Sequence, residues 1–94
     1  MHEHTVVNDL VHKIGTIAGG YGVRRVVALK IRVGALSHIP AGHLRDHLEF
    51  ALRGTPSEGA AIEIELVDDM TGPLAREIVL ESVEVEELEE APVT

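Results

Sequence analysis

The apolar residues change their spacing once in the first third of this chain, and that change constrains the fold. From Thr5 to Ala18 they fall at Val6, Val7, Leu10, Val11, Ile14, Ile17 and Ala18. Steps of three and four put them on one side of an α-helix. From Val27 the step becomes two. Val27, Leu29, Ile31 and Val33 alternate with Ala28, Lys30 and Arg32, the period of a strand with one buried face. A striped helix and a one-faced sheet bury their apolar surfaces against each other.

The same reading continues along the chain. Thr5 is the expected N-cap of the first helix, with Asp9 early enough to favour its dipole. Gly19, Gly20 and Gly22 are expected to end it through left-handed geometry. After the connection Gly34-Ala35-Leu36-Ser37-His38, Pro40 suits the first turn of a second helix, where its missing N–H is not needed. Leu44, Leu48, Ala51 and Leu52 form that helix's stripe, and Gly54-Thr55-Pro56 stops it. Ile62, Ile64 and Leu66 alternate with Glu63 and Glu65 as a second strand. Asp68 to Pro73 reads as a turn region, and a third strand runs from about Glu77 to Glu86.

The third strand has an internal conflict. Ile78 and Leu80 share one parity, Val83 and Val85 the other. A β-bulge near Glu81-Ser82 restores all four to one face. The expected fold is α+β, with two helices packed on one face of a three-stranded mixed sheet in the order α-β-α-β-β. The link between the first two strands suits a right-handed parallel crossover, and the last two strands suit an antiparallel hairpin. Residues 1–94 are read as a single domain, with 87–94 an acidic tail expected to fray.

Composition narrows the function. The chain of 94 residues has no cysteine, which excludes disulfides, a cysteine zinc site and a cysteine nucleophile. With one Phe, one Tyr and no Trp, its core must be aliphatic. A formal net charge of -8 argues against a nucleic-acid partner. No apolar run reaches the roughly 20 residues that span a bilayer. The N-terminus carries no apolar signal core, so a cytoplasmic location is expected. The Gly19-Gly20-Tyr21-Gly22 cluster follows a helix rather than a strand and is no phosphate loop. Nothing orders a serine and a histidine as nucleophile and base. The chain is therefore read as non-catalytic.

The terminus Met1-His2-Glu3-His4 carries the candidate chemistry. The amine, the next amide and an imidazole lie within two residues and can wrap a square-planar ion such as Ni(II) or Cu(II); the alternative is an ordinary frayed terminus with two solvated histidines. His2 is too bulky for ordinary methionine trimming, so Met1 is expected to supply the amine. Coordination needs neutral imidazole and displaced amide protons, so affinity falls with pH. His4 can supply a fourth equatorial nitrogen; the alternative is a solvated residue before the helix. His43 and His47 lie four apart on the second helix and read as a surface pair, with metal binding the alternative, since no HExxH motif is present. His12 and His38 read as solvated. Glu63, Glu65, Glu81, Glu84, Glu86 and Glu87 read as a solvated strand face that blunts the sheet edge.

Taken together these segments resemble the HypA family (HybF in one branch), the nickel-delivery accessory proteins of hydrogenase and urease maturation. The matching segments are Met1-His2-Glu3, the following helix, Val26 to Ser37 as VVALKIRVGALS, Leu44-Arg45, Glu49 to Thr55 as EFALRGT, Glu58-Gly59-Ala60 leading into IEIEL, and Arg76 to Glu86 as REIVLESVEVE. The resemblance implies Ni(II) bound by Met1, His2 and Glu3. It implies transfer to a GTPase partner or a nickel-enzyme precursor. Two departures stand out. Family members carry a zinc module with two Cys-x-x-Cys pairs between the second and third strands. Here the short segment Val67 to Arg76 stands in its place, so no structural zinc is expected. Ala35 also stands where the family usually has Glu. The alternative reading is a metal-free interaction module that docks on the same maturation machinery.

Overall fold

The computed structural model describes residues 3–20, 23–68, 70–73 and 75–87. Helix α1 (Glu3–Ala18) leads into strand β1 (Val23–Gly34), helix α2 (Ala41–Ala51), strand β2 (Ala61–Val67) and strand β3 (Ile78–Glu87). The architecture is the α+β arrangement read from the sequence. Its core is aliphatic: Val6, Val7, Leu10 and Ile14 of α1 meet Leu29, Ile31 and Val33 of β1 and Leu44, Leu48 and Leu52 of the α2 segment. α1 packs on β1 and β3, α2 packs on β2, and the two helices touch each other.

The sheet order is β2-β1-β3. β1 pairs parallel with β2 and antiparallel with β3. This corrects the expected hairpin of the last two strands. Charge gives the reason. β2 carries Glu63 and Glu65, while β3 carries Glu81, Glu84, Glu86 and Glu87, and like charges facing across a strand pair repel. With β1 between them each acidic strand meets bases instead. Lys30 reaches Glu65 at 3.4 Å, Arg32 reaches Glu81 at 3.0 Å, and Arg24 reaches Glu86 at 3.5 Å. Arg25 also pairs with Glu86. These acids are therefore partners of the central strand as well as a solvated face.

The bulge lies where the side-chain parity places it. β1 pairs Lys30 with Ser82 and Ile31 with Leu80, so Glu81 is the extra residue of β3. Ile78, Leu80, Val83 and Val85 all pack against the core as a result. β1 has its own irregularity between Val26 and Ala28. It makes Val26, rather than Val27, the buried residue at that end.

Several boundaries differ from expectation. α1 already includes Glu3, so Thr5 lies inside the helix and is no cap. Asp9 is then too deep to act on the helix end and pairs with Lys13 at 2.9 Å instead. Pro40 is the N-cap residue, with extended backbone, and its carbonyl accepts the Leu44 N–H at 3.0 Å. Among the described residues the glycines with positive φ are Gly54 and Gly59. Gly19 and Gly20 therefore end α1 without left-handed geometry. A Cβ on Gly20 would meet the Ile17 carbonyl oxygen at 3.0 Å, which favours glycine by close approach. Ile17, assigned to the α1 stripe from its spacing, is 41% exposed. Gly22 and the tail 88–94 lie outside the described residues.

The connection from β2 to β3 is tied to the end of β1. Gly34 N–H donates to the Glu77 carbonyl at 2.8 Å and Leu36 N–H to the Ala75 carbonyl at 2.7 Å. Ala75 is buried. These two bonds hold the end of the connection, before β3, against the end of β1.

Candidate metal site

The start of α1 rests against the middle of α2. Val6, Val7 and Leu10 on one helix and Leu44 and Leu48 on the other are buried in the same core cluster. That packing fixes where the first described residues sit. Glu3 and His47 meet there: the imidazole Nδ1 lies 3.1 Å from a Glu3 carboxylate oxygen. An ionised carboxylate only accepts, so Nδ1 carries the hydrogen and donates it. Both side chains are about one-third exposed, 33% for Glu3 and 31% for His47. The His4 ring stacks on the His47 ring, with centroids 5.9 Å apart and planes inclined by 28°.

The structure thus brings together two of the sequence candidates, Glu3 and His4, and adds His47. The other two candidates, Met1 and His2, lie outside the described residues. His47 leaves the surface pair assigned to it with His43, because its ring turns to α1 while His43 is exposed. The i, i+4 spacing gave no sign of this, since the partner lies 44 positions away. The other histidines are elsewhere. His12 is exposed, and its carbonyl accepts the Thr16 hydroxyl at 3.0 Å. His38 is exposed with φ 62 in the connection after β1.

Among the described residues no three His, Cys, Asp or Glu side chains are arranged to hold a metal ion. Glu3, His4 and His47 offer donors at the foot of the terminus, without forming a closed cage. The donor set still suits the group: imidazole nitrogen is a ligand that Ni(II) and Cu(II) favour.

A family model described as hydrogenase/urease nickel incorporation, metallochaperone, matches residues 1–71. The chain belongs to the HypA family. The hydrogenase maturation factor HypA of Chloroflexus aurantiacus is 37% identical over 67 residues, covering 71% of this chain and 59% of its own length. HypA of Nitrosospira multiformis is 35% identical over 65 residues, covering 69% and 56%. HypA of Methanopyrus kandleri is 35% identical over 66 residues, covering 70% and 46%. The chain spans about half the length of these curated HypA relatives. The HypA match includes the Met-His-Glu start and ends before β3. HypA proteins are maturation factors and metallochaperones rather than enzymes, in keeping with the non-catalytic reading. Among the described residues, no helix is long and apolar enough to cross a membrane.

Proposed function

We propose that this chain is a nickel-binding accessory protein that holds Ni(II) as cargo for the maturation of a nickel enzyme such as nickel–iron hydrogenase. The observation that carries the reading is the family match, which starts at residue 1 and so includes the terminal Met1-His2-Glu3. The Met1 amine, the His2 amide and the His2 imidazole supply three nitrogens, and Glu3 follows them directly. Nitrogen donors of this kind suit a planar Ni(II) complex. The cargo passes to a GTPase partner or to the enzyme precursor, in the cytoplasm.

Equilibrium dialysis against Ni(II), with full-length protein ending in a free Met1 amine, tests this. One nickel per chain is expected, and His2→Ala abolishes it. Equal retention by both proteins contradicts the reading. The rival interaction module predicts partner binding that is indifferent to nickel and to His2→Ala.

A further inference from the structure

We propose that the outer edge of β2 receives an extended segment of a partner protein in which Lys or Arg alternates with apolar residues. The sheet order β2-β1-β3 makes β2 an edge strand, paired on one side only. Every second backbone N–H and C=O of such a strand points away from the sheet and can template another chain. Besides the ladder to β1, no backbone hydrogen bond between described residues reaches 61–67. The connection that follows β2 leads to the end of β1, where the Glu77 and Ala75 carbonyls accept the Gly34 and Leu36 amides. Leu66, the last apolar residue of the β2 alternation, is 62% exposed.

β1 shows what a strand beside β2 has to carry. On the paired side Lys30 lies across from Glu63 and Arg32 across from Glu65, while Leu29, Ile31 and Val33 lie across from Ile62, Ile64 and Leu66. Bases meet acids on one face of the sheet, and apolar side chains meet apolar ones on the other. The outer side of β2 offers the same two rows, because its side chains alternate between the faces. Lys30 pairs with Glu65 at 3.4 Å and leaves Glu63 exposed, with no ion pair to a described residue. Charge excludes the strands that this chain itself could supply. Two copies of β2 paired antiparallel about Ile64 would set Glu63 against Glu65, and like charges across a strand pair repel. The β3 of a second copy brings Glu81, Glu84, Glu86 and Glu87, and residues 88–94 bring Glu89 and Glu90, neither with any base. The acids that keep copies of this chain apart therefore select a basic strand.

The purely structural alternative is an edge that its charges merely guard. The test titrates full-length protein, without nickel, into a fluorescein-labelled synthetic peptide of the length of β2 that alternates Lys or Arg with Val. A second peptide has the same composition, with its bases and its valines gathered in separate blocks. Affinity is read by fluorescence anisotropy and the place of contact by NMR hydrogen exchange. The alternating peptide should bind at least about tenfold more tightly than the block peptide and slow exchange at alternate amides within 61–67. Glu63→Gln combined with Glu65→Gln should weaken it about tenfold, because the partners of both cross-strand charges are lost. Leu66→Ser, at an exposed position, should weaken it roughly threefold while melting as wild type does. Equal affinity for the two peptides would reduce the contact to attraction between net charges and overturn the proposal. Protection that falls outside β2, or no binding of the alternating peptide, would overturn it as well. So would a dimer of the protein alone that Leu66→Ser dissociates, since a second copy would then occupy the edge.

Discussion

Arg32 and Glu81 meet at 3.0 Å where β3 carries its extra residue. The bulge therefore has two consequences. It keeps the apolar side chains of β3 on the helix side, and it presents a carboxylate to the central strand. Because Leu80 pairs with Ile31 and Ser82 with Lys30, deleting Glu81 leaves a regular ladder in the same register. Urea denaturation should show a loss of only about 0.2–1 kcal/mol, the range for an ion pair exposed to this degree. Inserting one Ala between Ser82 and Val83 instead turns Val83 and Val85 away from the core. That variant should lose roughly 1–2 kcal/mol, since Val83 and Val85 are partly buried and full burial of one valine is worth about 1.5–3 kcal/mol.

Leu48 is fully buried and sets the position of α2 against the core. Leu48→Ala should lower stability by about 2–5 kcal/mol, the usual range for truncating a buried leucine. The urea midpoint should fall with little change in the slope of the transition. A solvent-side change on the same helix, Arg45→Ala, should stay within about 0.5 kcal/mol of wild type.

Much of this fold was legible from periodicity. The α1 spacing, the β1 alternation and the parity switch in β3 each report a single buried face, and all three elements form. Topology was less legible, because a strand's pattern says which face is buried and not which neighbour it pairs with. Here the charges on β2 and β3 decide that choice, and they act only between strands. The candidate site was legible in Glu3 and His4, which adjoin the terminal motif. His47 was not, because its contact with Glu3 depends on how α1 crosses α2. Phe50 illustrates the same limit in reverse: it is apolar in sequence yet 67% exposed, with the Arg53 guanidinium 5.1 Å from its ring centre.

Two ion pairs give the stability a signed pH dependence. The hydrogen bond from Arg25, with Arg24 adding to it, holds the Glu86 carboxyl below its ordinary 4.5. A group whose value is lower when folded stabilises the fold above its unfolded value, and that stability is lost as pH falls through the folded one. Lys30 is the opposite case. Its hydrogen bond to Glu65, then the charges of Glu81, Glu65 and Glu63, raise it above 10.5. Its contribution is complete below the unfolded value and is lost as pH rises through the folded one. Through these two groups, melting temperature should fall as pH drops below the ordinary Glu86 value of 4.5 and as it rises past the ordinary Lys30 value of 10.5. Glu86→Gln should soften the acid limb and Lys30→Gln the alkaline limb, each leaving the other unchanged.

Gly59 has φ 80 in the turn that leads into β2. An L-residue meets its following carbonyl in that conformation. Gly59→Ala should lower stability by about 1–2 kcal/mol, although a Cβ there meets no atom within 4 Å. Thermal melts should show the loss, and the strain would lie in the backbone, not in packing.

The central claim is that Ni(II) is wrapped by the chain's own terminus, and the magnetic state of the complex tests it most directly. Protein with a free Met1 amine should give a diamagnetic, yellow, square-planar Ni(II) complex. The same protein with one glycine added before Met1 moves the amine out of place and should lose that complex. A paramagnetic, six-coordinate ion in the native protein, or an identical spectrum after the extension, would contradict the account.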